Sequence, residues 1–137
     1  MIRGTNMPDL KVLIADDDDM SLMMLEAILI EEGISQIDKA YDGVETLELY
    51  EDALCGTPYT AVFLDITMPE MDGLEVLRQI RIVEDEADYR AVIIMATGDN
   101  THETVVKAMV EHDADDHIGK PFNRDEIKDM LVRHGLV

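Results

Sequence analysis

The sequence of 137 residues is most informative first through what it has little of. It carries one cysteine, Cys55, so no internal disulfide can form, and the disulfide-braced secreted scaffolds are excluded. Basic residues are scarce. Eleven lysines and arginines face thirty-one aspartates and glutamates, for a formal net charge of −20. Nucleic acid and anionic membrane are therefore disfavoured as partners, because binding phosphate needs a basic footprint. No apolar run approaches the ~18 residues of a membrane span. The opening stretch MIRGTNMPDL lacks the apolar core of a signal peptide. Internal repeats, low-complexity tracts and long linkers are missing too. These absences, with 47% hydrophobic residues, lead us to expect one globular cytoplasmic domain over residues 10–137 behind a loose tail at 1–9.

What is present is an alternation. Short apolar, β-branched runs stand at 12–15 (VLIA), 61–66 (AVFLDI) and 91–97 (AVIIMAT), with weaker ones at 36–40 and 117–119. Stretches with apolar residues at i, i+3, i+4 and i+7 lie between them, at 20–32, 44–54, 74–84, 101–113 and 125–134. Asn123 with Glu126, and Thr101 with Thr104, read as helix starts, while Gly33, Gly56 and Gly135 stand where helices end. Residues 84–90 (EDEADYR) read as a solvated charged loop or frayed helix end. The ten methionines read as core filler, except Met68 and Met71, which fall in a loop where a partner could meet them. Five strands alternating with five helices imply an α/β fold with a parallel sheet covered on both faces. The strongest strands are apolar throughout, as strands buried on both sides must be.

Right-handed crossovers place every strand-to-helix loop at one edge of such a sheet. The polar residues ending the strands then gather on one rim: Asp16 and Asp17, Asp65, Thr97 and Lys120. Neighbouring strands lie about 4.8 Å apart, so acids on adjacent strand ends crowd one another. A crowded carboxylate cluster raises its own pKa values or captures a cation, and hard oxygen ligands with room for water favour Mg²⁺. Asp18 and Asp19, next in the acidic run 16–19, fit instead at the start of the following helix, where the dipole favours negative charge. A carboxylate beside Mg²⁺ can attack an activated phosphoryl group, Lys120 adds a second positive charge, and the Thr97 hydroxyl can donate to a phosphoryl oxygen.

The acidic pair after an apolar strand, then LDITMPEMDG, then ATG, then GKPF, resembles the receiver domain of bacterial two-component response regulators. The resemblance covers about residues 10–134. It implies a flavodoxin-like (βα)5 fold with strand order 2-1-3-4-5. It also implies site roles. Asp65 is the phosphoryl acceptor. Asp17, Asp65 and the backbone carbonyl of Thr67 ligate Mg²⁺, and Asp16 assists through water. Lys120 binds the phosphoryl group, its bond to Pro121 is cis, and Thr97 reports phosphorylation. The donor would be a sensor histidine kinase or a histidine phosphotransfer protein. Thr67 and Asp99 flank the site and tune the phosphoryl lifetime. Such a module signals by protein contact, through the helix at 101–113, the strand at 117–119 and the helix at 125–134, and turns over no metabolite.

His117 departs from the family pattern, which places an aromatic residue three before the lysine as part of the switch. An imidazole there varies in charge near neutral pH, so the expected switch is weaker or pH-sensitive. Two other readings compete. A degenerate receiver would bind a partner without phosphorylation. A haloacid-dehalogenase-like phosphatase would use Asp16 and Asp18, but its lysine should precede the last acidic motif, whereas Asp115 and Asp116 come before Lys120.

Overall fold

The computed structural model describes residues 10–68, 71–98 and 107–137. Five strands, β1 (Lys11–Ala15), β2 (Gln36–Ala40), β3 (Ala61–Asp65), β4 (Val92–Thr97) and β5 (Asp116–Gly119), form one sheet in the order β2-β1-β3-β4-β5. Every pairing is parallel. The α-helices among the described residues are α1 (Asp19–Glu31), α2 (Gly43–Leu54), α3 (Gly73–Ala87) and α4 (Arg124–Arg133). The fold class is the expected flavodoxin-like one.

The uniformly apolar strands have a direct structural cause. Alternate residues of each strand enter two separate cores. Leu13, Val62, Leu64, Ile93 and Met95 pack with Tyr50 and Ala53 of α2 and with Val76, Leu77 and Ile80 of α3. Val12, Ile14, Phe63 and Ile94 pack with Leu22, Leu25 and Leu29 of α1 and with Ile127, Met130 and Leu131 of α4. Full burial of each such side chain is worth roughly 1.5–3 kcal/mol, so neither face can be polar. Each of these α-helices begins with a short polar cap: Asp18, Asp42, Asp72 and Asn123 accept from the amides of Ser21, Glu45, Glu75 and Glu126. The caps stop the helices at the same sheet edge as the strand ends, and so fix the loops there.

The structure departs from the sequence pattern in several places. The spacing predicts one helix over 101–113. The described part holds a π-helical turn, Lys107–Glu111, and residues 101–106, with the Thr101 cap, lie outside the described residues. The tail expected at 1–9 lies outside them too. Gly33 and Gly135 take positive φ after α1 and α4, but Gly56 does not, and α3 ends on a left-handed Asp88 instead. Met20, Met23 and Met24 are exposed, because Leu22, Leu25 and Leu29 claim the inward face of α1, whereas the loop residue Met68 is buried in the core. Of the two readings of residues 84–90, the helix end holds: 85–88 and 90 are exposed, and the departure is Glu84. The helix α3 runs on to Ala87, and Glu84 is buried, holding the Tyr50 hydroxyl, the Arg81 guanidinium and the Ala91 amide. No helix among the described residues is long and apolar enough to cross a membrane.

Candidate functional site

The sheet register decides which strand ends meet. Ala15 of β1 pairs with Leu64 of β3, which sets Asp16, one residue on, beside Asp65. The Asp16 amide donates to Ala40 O at 3.1 Å, holding this residue in line with the strand before the chain turns away. Asp16 and Asp65 are 4% and 6% exposed, and Asp17 is exposed. One carboxylate oxygen from each of the three lies within 4.8 Å of the others. One strand further along, Asp65 pairs with Ala96, which puts Thr97 next on the rim, itself buried. Thr97 pairs with Gly119 of β5, and the Lys120 amide donates to Thr97 O at 3.0 Å. The Lys120–Pro121 peptide is cis.

From that position the Lys120 ammonium spans the rim. Its Nζ lies 2.5 Å from Asp16 Oδ2 and 3.5 Å from Asp65 Oδ2. The nearer partner is therefore Asp16, a residue to which sequence reasoning assigns only a helping role. The remaining Asp16 oxygen, Oδ1, accepts from the Asp18 amide at 2.9 Å, while Asp18 caps α1. Asp18 thus caps α1 and Asp19 begins it, as expected of the last two acids in the run, while Asp16 and Asp17 lie with Asp65 at the rim.

The electrostatics show a cluster short of positive charge. Burial, and then the neighbouring Asp16 charge, push the Asp65 carboxyl up to about 6, against the opposing pull of Lys120 and the Thr67 amide. Burial alone would lower the Lys120 ammonium, but the hydrogen bond to Asp16 and the charges of both aspartates raise it. Three acids and one ammonium leave an excess of anionic oxygen in a half-sheltered hollow. That donor set suits a small hard dication, which prefers carboxylate oxygens and keeps several of its waters. Asp16, Asp17 and Asp65 could all reach one ion, and Thr67, exposed at the rim, follows Asp65 closely enough to add its carbonyl.

His117 stands exposed on β5, its amide donating to Asp116 Oδ1 at 2.8 Å. It pairs with Met95, two residues short of the rim position held by Thr97 and Gly119. Asp99 lies outside the described residues.

A family model for the response regulator receiver domain matches residues 12–132. The chain belongs to the response regulator receiver domain family. Among curated relatives of this receiver, the chemotaxis protein CheY of Bacillus subtilis is 33% identical over 121 residues, covering 88% of the chain and 93% of its own length. The hybrid signal transduction histidine kinase L of Dictyostelium discoideum is 34% identical over 125 residues, and the receiver spans only 7% of that protein. Among solved structures, the CheX–CheY–BeF3–Mg complex of Borrelia burgdorferi matches with a TM-score of 0.81 at 30% identity, covering 91% of this chain and 88% of that one. Receivers are signalling modules of two-component systems, and this chain is one of them.

Proposed function

We propose that this receiver accepts a phosphoryl group on Asp65 from a phosphohistidine donor, with Mg²⁺ bound by Asp17, Asp65 and the Thr67 carbonyl and supported by Asp16. The observation that carries the reading is the meeting of three carboxylates within 4.8 Å, two of them buried, opposite one lysine. Carboxylates held this close repel, and a dication relieves that repulsion for all three at once. The similarity to a CheY solved with Mg and BeF3 supports the same reading.

In this scheme an Asp65 carboxylate oxygen attacks phosphorus as the bond from phosphorus to the donor imidazole breaks, and the imidazole nitrogen leaves with its electron pair and takes up a proton. Asp17, Asp65 and the Thr67 carbonyl would hold Mg²⁺, which when bound would supply positive charge to the phosphoryl oxygens. Lys120 already lies 3.5 Å from Asp65, so its ammonium can pass from the carboxylates to the incoming phosphoryl oxygens with little movement. Thr97, next on the rim, supplies a hydroxyl donor. Asp16 orients Lys120 before transfer. The partners would be a sensor histidine kinase or phosphotransfer protein on the input side, and a protein target on the output side.

The test is incubation with Mg²⁺ and acetyl phosphate, followed by intact mass. We expect a single added phosphoryl group that disappears in Asp65→Asn and is suppressed by chelator. A phosphoryl adduct persisting in Asp65→Asn would falsify the assignment.

A further inference from the structure

Two glycines beside the site are explained by space and not by dihedral angle. Gly43 opens α2 and Gly73 opens α3, and both are buried. Neither takes positive φ, which among the described glycines only Gly33 and Gly135 do. Alanine could therefore adopt either backbone, and alanine is the better helix former. A Cβ on Gly73 would fall 2.1 Å from Asp65 O and 2.8 Å from Ile66 Cα. A Cβ on Gly43 would fall 2.1 Å from Met71 O and 2.8 Å from Met71 Cβ. The nearest obstacle at each is a backbone oxygen, so no side chain can swing aside.

These contacts seat two helix starts on the backbone of the acceptor residue and of Met71. Gly73 seats α3 directly on Asp65, with its amide donating to Ile66 O at 2.7 Å. Met68 is sunk in the core. Gly43 seats the first turn of α2 on Met71. That turn is tied in the other direction to the opposite side of the site. Ala40, at the end of β2, accepts the Asp16 amide. The Tyr41 amide donates to Glu45 Oε1 at 2.7 Å, while the Glu45 amide donates to Asp42 Oδ1 at 2.7 Å, a reciprocal cap. The start of α2 is thus tied through Tyr41 and Ala40 to the chain bearing Asp16, and it rests on Met71, two residues before the Gly73 that packs on Asp65 O.

We infer that Gly43 is a positioning residue: by letting α2 sit against the Met71 backbone, it sets the spacing between the two halves of the carboxylate cluster. The inference rests on the Mg²⁺ and phosphoryl reading above. An added methyl group must drive the α2 start and the acceptor loop apart by about 1 Å, a displacement of the kind that costs a site far more than it costs a fold.

The test compares wild type with Gly43→Ala and with Ala53→Gly, which weakens the last turn of α2 and leaves its first turn alone. Calorimetric titration with MgCl₂ and the rate of mass gain from acetyl phosphate are measured at a temperature where circular dichroism shows each variant folded. Gly43→Ala should bind Mg²⁺ about 10-fold or more weakly and gain mass correspondingly slowly, the scale typical of losing support behind a metal ligand. Ala53→Gly should melt lower yet bind Mg²⁺ within about twofold of wild type. Gly43→Ala binding Mg²⁺ like wild type, or both variants losing affinity in step with their melting temperatures, overturns the inference. If Gly43→Ala does not fold, Glu45→Ala replaces it, since it removes only the surface half of the cap. A drop of about threefold in Mg²⁺ affinity is then expected, and none overturns the inference. Wild-type protein that neither binds Mg²⁺ nor gains mass would instead refute the underlying receiver chemistry, an outcome distinct from these.

Discussion

The two edges of the sheet each gather three acids, and they treat them oppositely. At the carboxyl edge, among the described residues, the cluster of Asp16, Asp17 and Asp65 is met by one ammonium, that of Lys120. Beyond the amino ends of β4 and β5, Glu84, Asp113 and Asp115 share two guanidinium groups. Arg81 binds Glu84 at 2.6 Å and Asp115 at 2.8 Å, and Arg90 binds Asp113 at 2.9 Å and Asp115 at 3.0 Å. Neutral donors complete that second network: the Tyr50 hydroxyl and the Ala91 amide to Glu84, and the Ile93 amide to Asp115. The pKa values record the difference. Burial works to raise Asp115, but the Ile93 amide and the two arginines hold it below its ordinary value, while Asp65 is pushed up to about 6. Acids with a full set of donors act as a structural joint. Acids that outnumber the cations beside them are the ones proposed above to take up Mg²⁺.

The largest effect that would break this contrast is at Glu84. Truncation by Glu84→Ala leaves the Tyr50 hydroxyl and the Ala91 amide without the carboxylate they donate to and takes from Arg81 one of its two carboxylates, and each buried donor left unsatisfied costs about 1–3 kcal/mol. Urea denaturation should show that loss. Asp65→Asn should move stability the other way. At neutral pH the metal-free fold bears the cost of ionising a carboxyl whose pKa is about 6, and the amide removes it. The gain is at most about 3 kcal/mol, since each tenfold change in proton affinity is worth about 1.4 kcal/mol. Two buried-acid substitutions of opposite sign in one domain would uphold the distinction, and two losses of equal size would dissolve it.

The pH dependence sharpens the same point. Asp65 has a folded pKa above its unfolded one, so the folded state holds this proton more tightly. Its contribution is most favourable below about pH 4 and is lost as the pH rises through about 6. Asp115, with its pKa lowered, contributes above the ordinary aspartate value and loses that contribution in acid. Metal-free wild type should therefore lose melting temperature between about pH 4 and 6 relative to Asp65→Asn. Saturating Mg²⁺ at pH 7 should restore it, by about 2.7 kcal/mol at 100 times the dissociation constant. Parallel melting curves for the two proteins across that range would place the excess charge elsewhere.

The contrast also explains what could be read in advance. The carboxyl-edge cluster obeys a local grammar, since each member directly follows an apolar strand, and parallel topology alone brings strand ends together. Asp65 and Lys120 were legible for that reason. The amino-edge cluster has no such grammar. Glu84 looks like any acid in the run 84–90 until the end of α3, the start of β4 and residues 113–115 meet in space. Its burial is a tertiary fact. On α1 the stripe of Leu22, Leu25 and Leu29 is spaced as one helix face and is the buried one; what departs from the expectation of core methionines is the exposure of Met20, Met23 and Met24 beside it. The preference of Asp16 for Lys120 is likewise a matter of ångströms, set by the reach of a lysine across two strands.

The smallest expected effect lies within the amino-edge network and tests whether its strength comes from burial or from the number of ion pairs. Arg90 and Asp113 are largely open to solvent, 49% and 67% exposed at the side chain, whereas Arg81 is 12% exposed. Solvent screens the outer pair, and exposed pairs are worth about 0–1 kcal/mol. Arg90→Gln should therefore cost less than about 1 kcal/mol, and the difference should shrink in 1 M salt, where the screening length is about 3 Å. The same substitution should leave Mg²⁺ affinity unchanged, because the carboxylate cluster lies at the other end of the strands. A loss matching that of Glu84→Ala would mean that the outer guanidinium is as integral as the buried one. The network would then work as one cooperative unit in which the exposed and the buried pairs carry equal weight.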